Sequence, residues 1–543
     1  MTVRRVMGIE TEYGVLQPGK AQANPMLLSS HVVAVHAPAK TAGRTKARWD
    51  YDDEDPLQDA RGFHLQRAAA HPSQLTDDPS RPAPSGDSDP DSGAATGPSA
   101  PQAKPRPDYE EYEDPGAVNV ILTNGARLYV DHAHPEYSSP EVTTPRDLVR
   151  WDVAGERVML DSVRALASVQ ALPDVALYKN NVDGKGATYG THENYLVDRE
   201  VPFGDLAGWI TPFLVTRQVF TGSGRVGLGQ RGERPGYQLS QRADYVEAEI
   251  GLETTLRRPI VNTRDEPHAD PTLWRRLHVI VGDANLFEVA TFLKTGSTSL
   301  VLWLIEQIAT GSGAAHLGPV LDSLTLADPV HAFGRVSHDL SLTEELDLAD
   351  GRTMTALAIQ HVYLDAIRGL IPDPDPETAE VLDRWASILD RLATDPSSCA
   401  REVEWVGKLR LLEGMRRREQ LPWDHPKLHA VDLQWSDVRP ERGLYHRLAA
   451  AGAVERLTTD QQVEQAVQHP PVDTRAYFRG EVMARYGAQV TAASWDSVVF
   501  DVPGAPTLQR VPMRDPLRGT WEHVGPLLDA SPDAATLLTK LGN

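Results

Sequence analysis

Two carboxylates stand one residue apart near the start of the chain, in the segment GIETEYG at residues 8–14. If residues 3–15 form a strand, alternation places Glu10 and Glu12 on the same face. Two like charges on one sheet face repel each other unless a cation lies beside them. The pair is therefore a candidate cation site, although a solvated strand face is the simpler interpretation.

A second set of chemically capable residues lies in VNVILTNGARLYVDH at 118–132. Two β-rich runs flank Asn124-Gly125, a pair that tolerates positive φ at both centres of a type I′ turn. The segment therefore predicts a hairpin. Strand alternation then places Tyr129 and Asp131 on one face.

Two further segments add imidazoles and carboxylates. HAHPEYSSPE at 132–141 continues the hairpin, and TYGTHENYLV at 188–197 alternates like a strand; their candidates are His132, His134, Glu136, Glu141, His192 and Asn194. Oxygen ligands with an occasional imidazole suit Mg²⁺ or Mn²⁺, which in turn bind phosphate oxygens. Several strands therefore offer ligands for a divalent metal on one surface.

Helices are predicted where apolar residues recur at three- and four-residue spacing. The clearest covers 144–169 and is amphipathic. Four more are predicted, the first with Asp283 as its N-cap; they cover 284–309, 353–370, 376–394 and 401–418.

Composition changes abruptly at 71–116, where Pro, Asp, Ser and Gly dominate. Such a segment cannot bury enough apolar area to offset its ordering entropy, so we predict disorder. The aromatic residues of RWDYDDEDPLQDARGF just upstream make 38–70 a mobile loop that is able to dock. We predict a catalytic domain over 1–430, which contains both segments, and a small C-terminal domain over 431–543.

Charge and cysteine content exclude several classes of protein. The formal net charge of -22 opposes attraction to phosphate backbones or anionic lipid, so neither nucleic acid nor a membrane is an expected partner. A single Cys399 rules out an internal disulfide and a multi-cysteine metal cluster. The apolar stretch at 299–309 is too short to span a bilayer. The predicted location is the cytoplasm.

Two other motifs carry less chemistry. GSGRVG at 222–227 matches a dinucleotide fingerprint, but Gly and Pro follow where a helix should begin, so we predict a flexible loop instead. The basic run KLRLLEGMRRREQ at 408–420 could attract an acidic partner, and a solvated helix face is the alternative. P-loop and HExxH motifs do not occur in the sequence.

Five segments in one order carry a family resemblance: GIETEYG, NGARLYVDHAHPEYSSPE, GTHENY, SQRADY and NTRDEPHADPTLWRRLHVIVGDAN. They resemble the depupylase and Pup-ligase family, whose catalytic domain is similar to glutamine synthetase and other carboxylate-amine ligases. The likeness covers nearly the whole chain except 71–116. The segment at 48–63 looks like a loop that the depupylases carry.

The resemblance implies an α+β fold with a curved antiparallel sheet flanked by helices, whose concave face holds ATP, or ADP with phosphate, and Mg²⁺. It also implies roles for residues that match the family's motifs. The implied metal-binding residues are Glu10, Glu12, Glu136 and His192; the implied nucleotide or phosphate residues are Tyr129, Arg242, Arg264 and His278. Asp131 matches the catalytic aspartate, which either attacks the substrate carbonyl or activates what attacks it.

The function implied is hydrolysis of the isopeptide bond between the C-terminal glutamate of the prokaryotic ubiquitin-like protein Pup and a substrate lysine. Deamidation of a C-terminal glutamine of Pup would use the same carbonyl. The expected partners are Pup and pupylated proteins. An ATP-consuming Pup ligase is the nearest alternative, and a Pup-binding adaptor without activity is a more distant one.

Overall fold

The computed structural model describes residues 3–20, 22–36, 47–52, 54–67, 70, 119–311 and 313–542. The predicted disorder of 71–116 and the predicted mobility of 38–46 lie outside these residues. The described part of the chain contains twenty strands and sixteen α-helices.

The strands are, in chain order, β1 (Met7–Glu12), β2 (Gly14–Leu16), β3 (Arg48–Trp49), β4 (Gln58–Asp59), β5 (Phe63–His64), β6 (Asn119–Ile121), β7 (Arg127–Asp131), β8 (His134–Ser138), β9 (Ala176–Tyr178), β10 (Thr191–Asp198), β11 (Arg225–Leu228), β12 (Arg234–Gln238), β13 (Val246–Gly251), β14 (Arg258–Asn262), β15 (Trp274–Val279), β16 (Glu345–Asp347), β17 (Thr353–Thr355), β18 (Val490–Ala493), β19 (Ser497–Phe500) and β20 (Gln509–Pro512).

The helices are α1 (Pro25–Ala34), α2 (Pro145–Ala167), α3 (Phe203–Thr216), α4 (Gln218–Thr221), α5 (Glu288–Ala309), α6 (Gly318–Asp322), α7 (Pro329–His338), α8 (Ala356–Leu370), α9 (Pro376–Thr394), α10 (Glu404–Glu419), α11 (Pro426–Trp435), α12 (Leu444–Ala450), α13 (Asp460–Gln468), α14 (Ala476–Tyr486), α15 (Trp521–Asp529) and α16 (Ala534–Leu541). All are too short or too polar to span a lipid bilayer, as far as the described residues go.

A six-stranded sheet in the order β15-β10-β1-β8-β7-β6 organises the molecule, and all of its neighbouring strands are antiparallel. Alternation gives each strand one apolar face. On this face Ile9, Val197 and Leu277 are buried in the main core, which they share with α2 and α5. The opposite face carries Glu10, His192 and His278. Helices α3, α5, α8 and α9 pack on one another in the layer behind the sheet.

The first predicted strand is shorter than expected. Residues 3–6 lie outside β1, and the strand is interrupted at Tyr13, whose N–H donates to the Pro135 carbonyl at 3.0 Å. After this break β2 leaves the large sheet and pairs with β9. The prediction that Glu10 and Glu12 share one face is unaffected, because both lie within β1.

The predicted hairpin is present, but the predicted type I′ turn at Asn124-Gly125 is wrong. Gly125 alone of the two has positive φ, at 80°, and its N–H donates to Leu122 O at 3.0 Å. Thr123 and Asn124 are thus the centres of the turn, and Gly125 follows in the left-handed region, an arrangement typical of three-residue hairpin loops.

The predicted helices at 144–169, 284–309, 353–370, 376–394 and 401–418 correspond to α2, α5, α8, α9 and α10. The predicted N-cap at Asp283 is wrong, because α5 begins five residues later at Glu288. The Asp283 carboxylate instead accepts hydrogen bonds from the backbone of Ser223 and Gln241. A tertiary contact has replaced the local cap.

The two weaker motifs differ in burial: the glycine-rich one is buried, and the basic run is buried at Lys408 and exposed at Arg417. The GSGRVG segment is buried, and its residues 225–227 already belong to strand β11, so the predicted flexible loop is wrong, whereas the rejection of a helix after the motif is correct. In the basic run, Lys408 is buried and pairs with Asp432 at 2.5 Å, while Arg416 and Arg417 pair with Glu413.

The last part of the chain builds a core of its own. Helices α14, α15 and α16 pack with the four-stranded sheet β20-β19-β18-β3 around Phe478, Phe500 and Leu528. Helix α13 packs on α2 instead, and Leu428, Val431 and Ala466 belong to the main core. The domain boundary at 430 stays a prediction.

Candidate active site

Seven of the nine predicted site residues lie across five neighbouring strands of the large sheet. Glu12 of β1 stands directly opposite Glu136 of β8, and Glu136 stands opposite Tyr129 of β7. On the other side of β1, Glu10 pairs with His192 of β10. Because directly opposite residues in antiparallel strands point to the same face, these side chains project from one surface.

Three carboxylates meet on this surface. Oxygen atoms of Glu12, Asp131 and Glu136 all lie within 4.8 Å of one another. The Tyr129 hydroxyl donates to Glu136 Oε1 at 2.7 Å. Burial raises the pKa of Glu136 well above its usual range, and the charges of Asp131, Glu10 and Glu12 raise it further. Such crowding of like charges is what a bound cation would relieve.

A second group lies beside the first and contains imidazoles. Glu10 Oε2 is 3.3 Å from His192 Nδ1, and the Asn194 amide donates to Glu10 Oε1 at 3.0 Å. Burial by itself would raise the pKa of Glu10, but His192, Arg276 and Asn194 outweigh it and hold this pKa at about 2. Ligand atoms of Glu10, His192 and His278 also lie within 4.8 Å of one another.

His278 is held as a neutral ring. Its Nδ1 lies 2.8 Å from Asn194 Oδ1, and its ring packs edge-on against that of His192. Burial and the nearby charge of Arg276 hold the pKa of His278 well below its usual range.

Asp131 is the most open of the three clustered carboxylates. It ends β7, and its side chain is 26% exposed, compared with 8% for Glu12. His132 Nδ1 lies 2.9 Å from Asp131 Oδ2. Burial would raise the pKa of Asp131, but the hydrogen bond and charge of His132, with His192 and Arg127, lower it. The carboxylate is therefore ionised at neutral pH.

Glu12 is fixed from two sides. The backbone N–H of Gly190 donates to Glu12 Oε1 at 2.5 Å, and His134 Nδ1 lies 3.1 Å from Glu12 Oε2. The His134 ring in turn stacks on Tyr189, with ring centroids 4.3 Å apart.

The two predicted arginines lie in different surroundings. Arg242 is buried, and its guanidinium donates to the backbone carbonyl of Tyr189. Burial lowers its pKa to about 9, with Arg258 contributing and Glu12 opposing. Arg264 forms a β-bridge with Asp59, and its Nε lies 3.9 Å from Glu266 Oε2.

Some residues of this surface were not among the predicted site residues. Arg276 donates to Asn194 Oδ1 at 3.1 Å and to Glu266 Oε2 at 3.3 Å, which joins the imidazole group to the adjacent loop. Alternation along WRRLHV could have found it, because Arg276 lies two residues before His278. Glu266 carries no such signal, since it lies outside a strand.

A cavity of about 70 Å³ opens beside Glu10, between the large sheet and the C-terminal part of the chain. Gly8 and Arg276 line it from the sheet side, and Arg475 and Trp495 line it from the other. It is a narrow, partly apolar compartment next to the ionised groups.

The described part of the predicted loop is docked beside the site. Trp49 is buried, and the Arg127 guanidinium carbon lies 3.9 Å from the ring centroids of both Trp49 and Tyr129. Arg127 is thus stacked between the loop and the tyrosine that bonds Glu136. Trp49 and Tyr51 of this segment thus contact Arg127 of the large sheet, and the role of the loop 38–70 stays a prediction.

The fold and the arrangement of carboxylates agree with the family resemblance. The model of the Pup-ligase protein family matches residues 5–499. The chain belongs to this family.

Its relatives include proteins named as Pup deamidase/depupylase and proteins named as Pup–protein ligase. The Pup deamidase/depupylase of Mycolicibacterium smegmatis is 53% identical over 544 residues, covering all of both chains. Among solved structures, the ligase PafA in complex with Pup matches with a TM-score of 0.72 and 31% identity, over 97% of this chain and 91% of that one. PafA in complex with ADP matches with a TM-score of 0.67 and 38% identity, over 76% and 90%. The predicted α+β, glutamine synthetase-like fold is confirmed.

Proposed function

We propose that this protein hydrolyses the isopeptide bond between the C-terminal glutamate of Pup and the lysine of a pupylated protein, and that it deamidates a C-terminal glutamine of Pup. One observation carries the proposal: the cluster of Glu12, Asp131 and Glu136 lies in a chain that is 53% identical over its full length to a named Pup deamidase/depupylase. Its partners are then Pup and pupylated proteins. The cytoplasm remains the predicted location.

The donor set fits Mg²⁺. Carboxylate oxygens within 4.8 Å of one another are ligands that Mg²⁺ prefers, and burial of three like charges is costly without a cation. Glu12 and Glu136 would hold the metal together with Glu10 and His192 of the adjacent group. When bound, the cation supplies positive charge that neutralises phosphate oxygens and polarises the site.

Nucleotide binding is supported by the ADP complex of the related ligase. The cavity lined by Gly8, Arg475 and Trp495 lies beside Glu10, where the base of a nucleotide could enter. Tyr129, Arg264 and His278 lie along the adjoining surface and are proposed to contact phosphate. Arg242 acts there through its charge, because its guanidinium bonds a backbone carbonyl.

Asp131 is the proposed catalytic residue. As an ionised carboxylate at the open edge of the cluster, it either attacks the amide carbonyl carbon or takes a proton from the water that does. The carbon–nitrogen bond then breaks, the lysine amine or ammonia leaves with a proton, and water supplies the oxygen of the new glutamate carboxylate. Tyr129 and Gly190 keep Glu136 and Glu12 in place during this step.

A Pup ligase is the alternative, because the matching solved structures are ligases. The identities favour the hydrolase, at 53% over the whole chain for the Pup deamidase/depupylase against 41% over 76% of the chain for a Pup–protein ligase. The protein should be incubated with a Pup conjugate, Mg²⁺ and ATP while free Pup and ADP are measured. Conjugate cleavage without stoichiometric ADP supports the hydrolase, and lysine-dependent ADP release supports the ligase. The absence of both activities supports an adaptor.

Asp131→Asn tests the catalytic assignment in the same assay. We expect cleavage to fall by at least about a thousandfold, because the amide is neither a nucleophile nor a base. ATP binding measured by calorimetry should change by less than about threefold, since the proposed phosphate contacts remain. Cleavage at the wild-type rate would contradict the mechanism.

A further inference from the structure

The loop that joins β7 to β8 is two residues long, because Asp131 pairs directly with His134. Both of its residues have positive φ, at 47° for His132 and 98° for Ala133. Two-residue turns of this kind favour Asn and Gly, because side chains are strained in the left-handed region. The chain therefore keeps an unfavourable backbone directly after the candidate catalytic residue.

The strained turn gives His132 one specific contact. Its Nδ1 lies 2.9 Å from Asp131 Oδ2. Among the described residues, His132 is the one hydrogen-bond partner of the Asp131 carboxylate. Both side chains are partly open, with 37% of His132 and 26% of Asp131 exposed. A partly exposed carboxylate would otherwise be free to turn about its side-chain bonds.

The turn itself is anchored from outside the sheet. The hydroxyl of the buried Ser29, in α1, donates to the Ala133 carbonyl at 2.7 Å. Helix α1 also packs on β7 and β8. The backbone of the turn is thus held in place by a neighbouring helix, which allows the strain to persist.

We propose that His132 is a positioning residue: the left-handed His132-Ala133 turn aims its imidazole at Asp131, and this hydrogen bond holds the carboxylate toward the scissile amide. The inference rests on the proposed function. This role requires two properties of residue 132: a hydrogen-bond donor at the Nδ1 position and a backbone that tolerates positive φ.

Three variants separate these properties. His132→Asn keeps a donor near the Nδ1 position and tolerates positive φ, whereas His132→Gly tolerates positive φ but has no donor. Ala133→Gly relieves strain next to the donor. The matched control is Gln420→Gly, which relieves the left-handed conformation at φ 56° after α10, in a segment that contributes no residue to the site.

The rate of conjugate cleavage should distinguish them. We expect His132→Gly to lower kcat by about twentyfold or more with KM changed by less than about twofold, because an orienting contact acts on the reacting group. His132→Asn should recover at least about a third of the wild-type kcat. Ala133→Gly and Gln420→Gly should both raise Tm by about 1 °C, because each relieves a left-handed residue, and Gln420→Gly should leave kcat unchanged.

Equal activity of His132→Gly and the wild type would overturn the proposal, as would a His132→Asn variant as slow as His132→Gly. Crystal structures of the wild type and His132→Gly give a readout that does not need activity. Asp131 should hold one rotamer in the wild type and turn away in the variant; an unchanged rotamer would count against the inference. A wild-type protein that cleaves no conjugate would refute the proposed function, and the rotamers would still decide the role of His132.

Discussion

At the scale of single residues, Gly190 lies against the side chains of Glu12 and His192 in the candidate site. Its N–H donates to Glu12 Oε1 at 2.5 Å. A Cβ at this position would lie 2.7 Å from the same oxygen and would overlap the His192 ring. The close approach of backbone to carboxylate therefore requires glycine here.

Gly190→Ala should displace Glu12 and His192 and weaken the site without unfolding the protein. We expect kcat/KM for conjugate cleavage to fall by about tenfold or more, because misplacement by a fraction of an ångström is costly at a catalytic site. The measurement is steady-state cleavage together with Mg²⁺ titration.

The control for this variant is Gly208→Ala, a position in α3 where the added Cβ would point into open space. It should raise stability slightly and leave cleavage unchanged. Wild-type activity in Gly190→Ala would show that the Glu12 position is not critical.

At the scale of elements, the segment around β3 connects the site to the C-terminal part of the chain. Strand β3 pairs with β18, and Trp49 packs in the same core as Phe500. The Trp49 indole also donates to Glu54 Oε1 at 2.6 Å. Deleting 38–70 would therefore remove part of this core, so point substitutions are the better test of the loop.

Docking of this segment should weaken as pH rises. Burial raises the pKa of Glu54 to about 7, against an ordinary value of 4.5, with Glu266 contributing and Arg127 opposing. The docked carboxyl thus retains a proton that the undocked one has lost, and docking becomes less favourable between these two values. From pH 5.5 to pH 8 we expect amide exchange in 47–64, corrected for intrinsic rates, to speed up by about tenfold.

Glu54→Gln provides the comparison, because an amide does not titrate in this range. The exchange of 47–64 in this variant should be nearly independent of pH once intrinsic rates are removed. The same pH dependence in both proteins would assign the effect to another group.

At the scale of the whole molecule, Glu141 connects the large sheet to the C-terminal core. It lies just after β8 in the sequence. Arg475 Nε donates to Glu141 Oε1 at 2.8 Å, and Arg479, which is fully buried, pairs with Oε2. Burial would raise the pKa of Glu141, but the two arginines hold it at about 2. Arg475 also lines the cavity beside Glu10, so the same contact borders the proposed nucleotide site.

Glu141→Gln should cost about 3–5 kcal/mol of unfolding free energy at pH 7, because it leaves two buried guanidinium groups without their counter-charge. The ionised carboxylate stabilises the fold above pH 4.5, and this contribution is lost as pH falls toward 2. Denaturant unfolding at several pH values measures both effects.

Glu413→Gln is the matched control, since Glu413 pairs with Arg416 and Arg417 at the surface of α10. It should cost less than about 1 kcal/mol, as exposed ion pairs do. A similar small cost for Glu141→Gln would mean that the two parts of the chain are held together mainly by apolar contacts.

The amino-acid sequence alone determined the local features of this protein. Period-two alternation correctly placed Glu10 with Glu12, and Tyr129 with Asp131, because facing within one strand depends only on backbone geometry. Apolar periodicity likewise located α2 and α9, since an amphipathic helix records its buried face in its own residues.

Tertiary structure decided which of these local features meet. Glu12 faces Glu136 and Glu10 faces His192 only because β1 pairs with strands more than 120 and 180 residues away, and pairing at such distances leaves no local signal. Asp283 does not cap α5, because its carboxylate accepts hydrogen bonds from the backbone of Ser223 and Gln241, which lie far from it in the sequence. Long-range packing overrides local preference wherever the two compete for the same backbone groups.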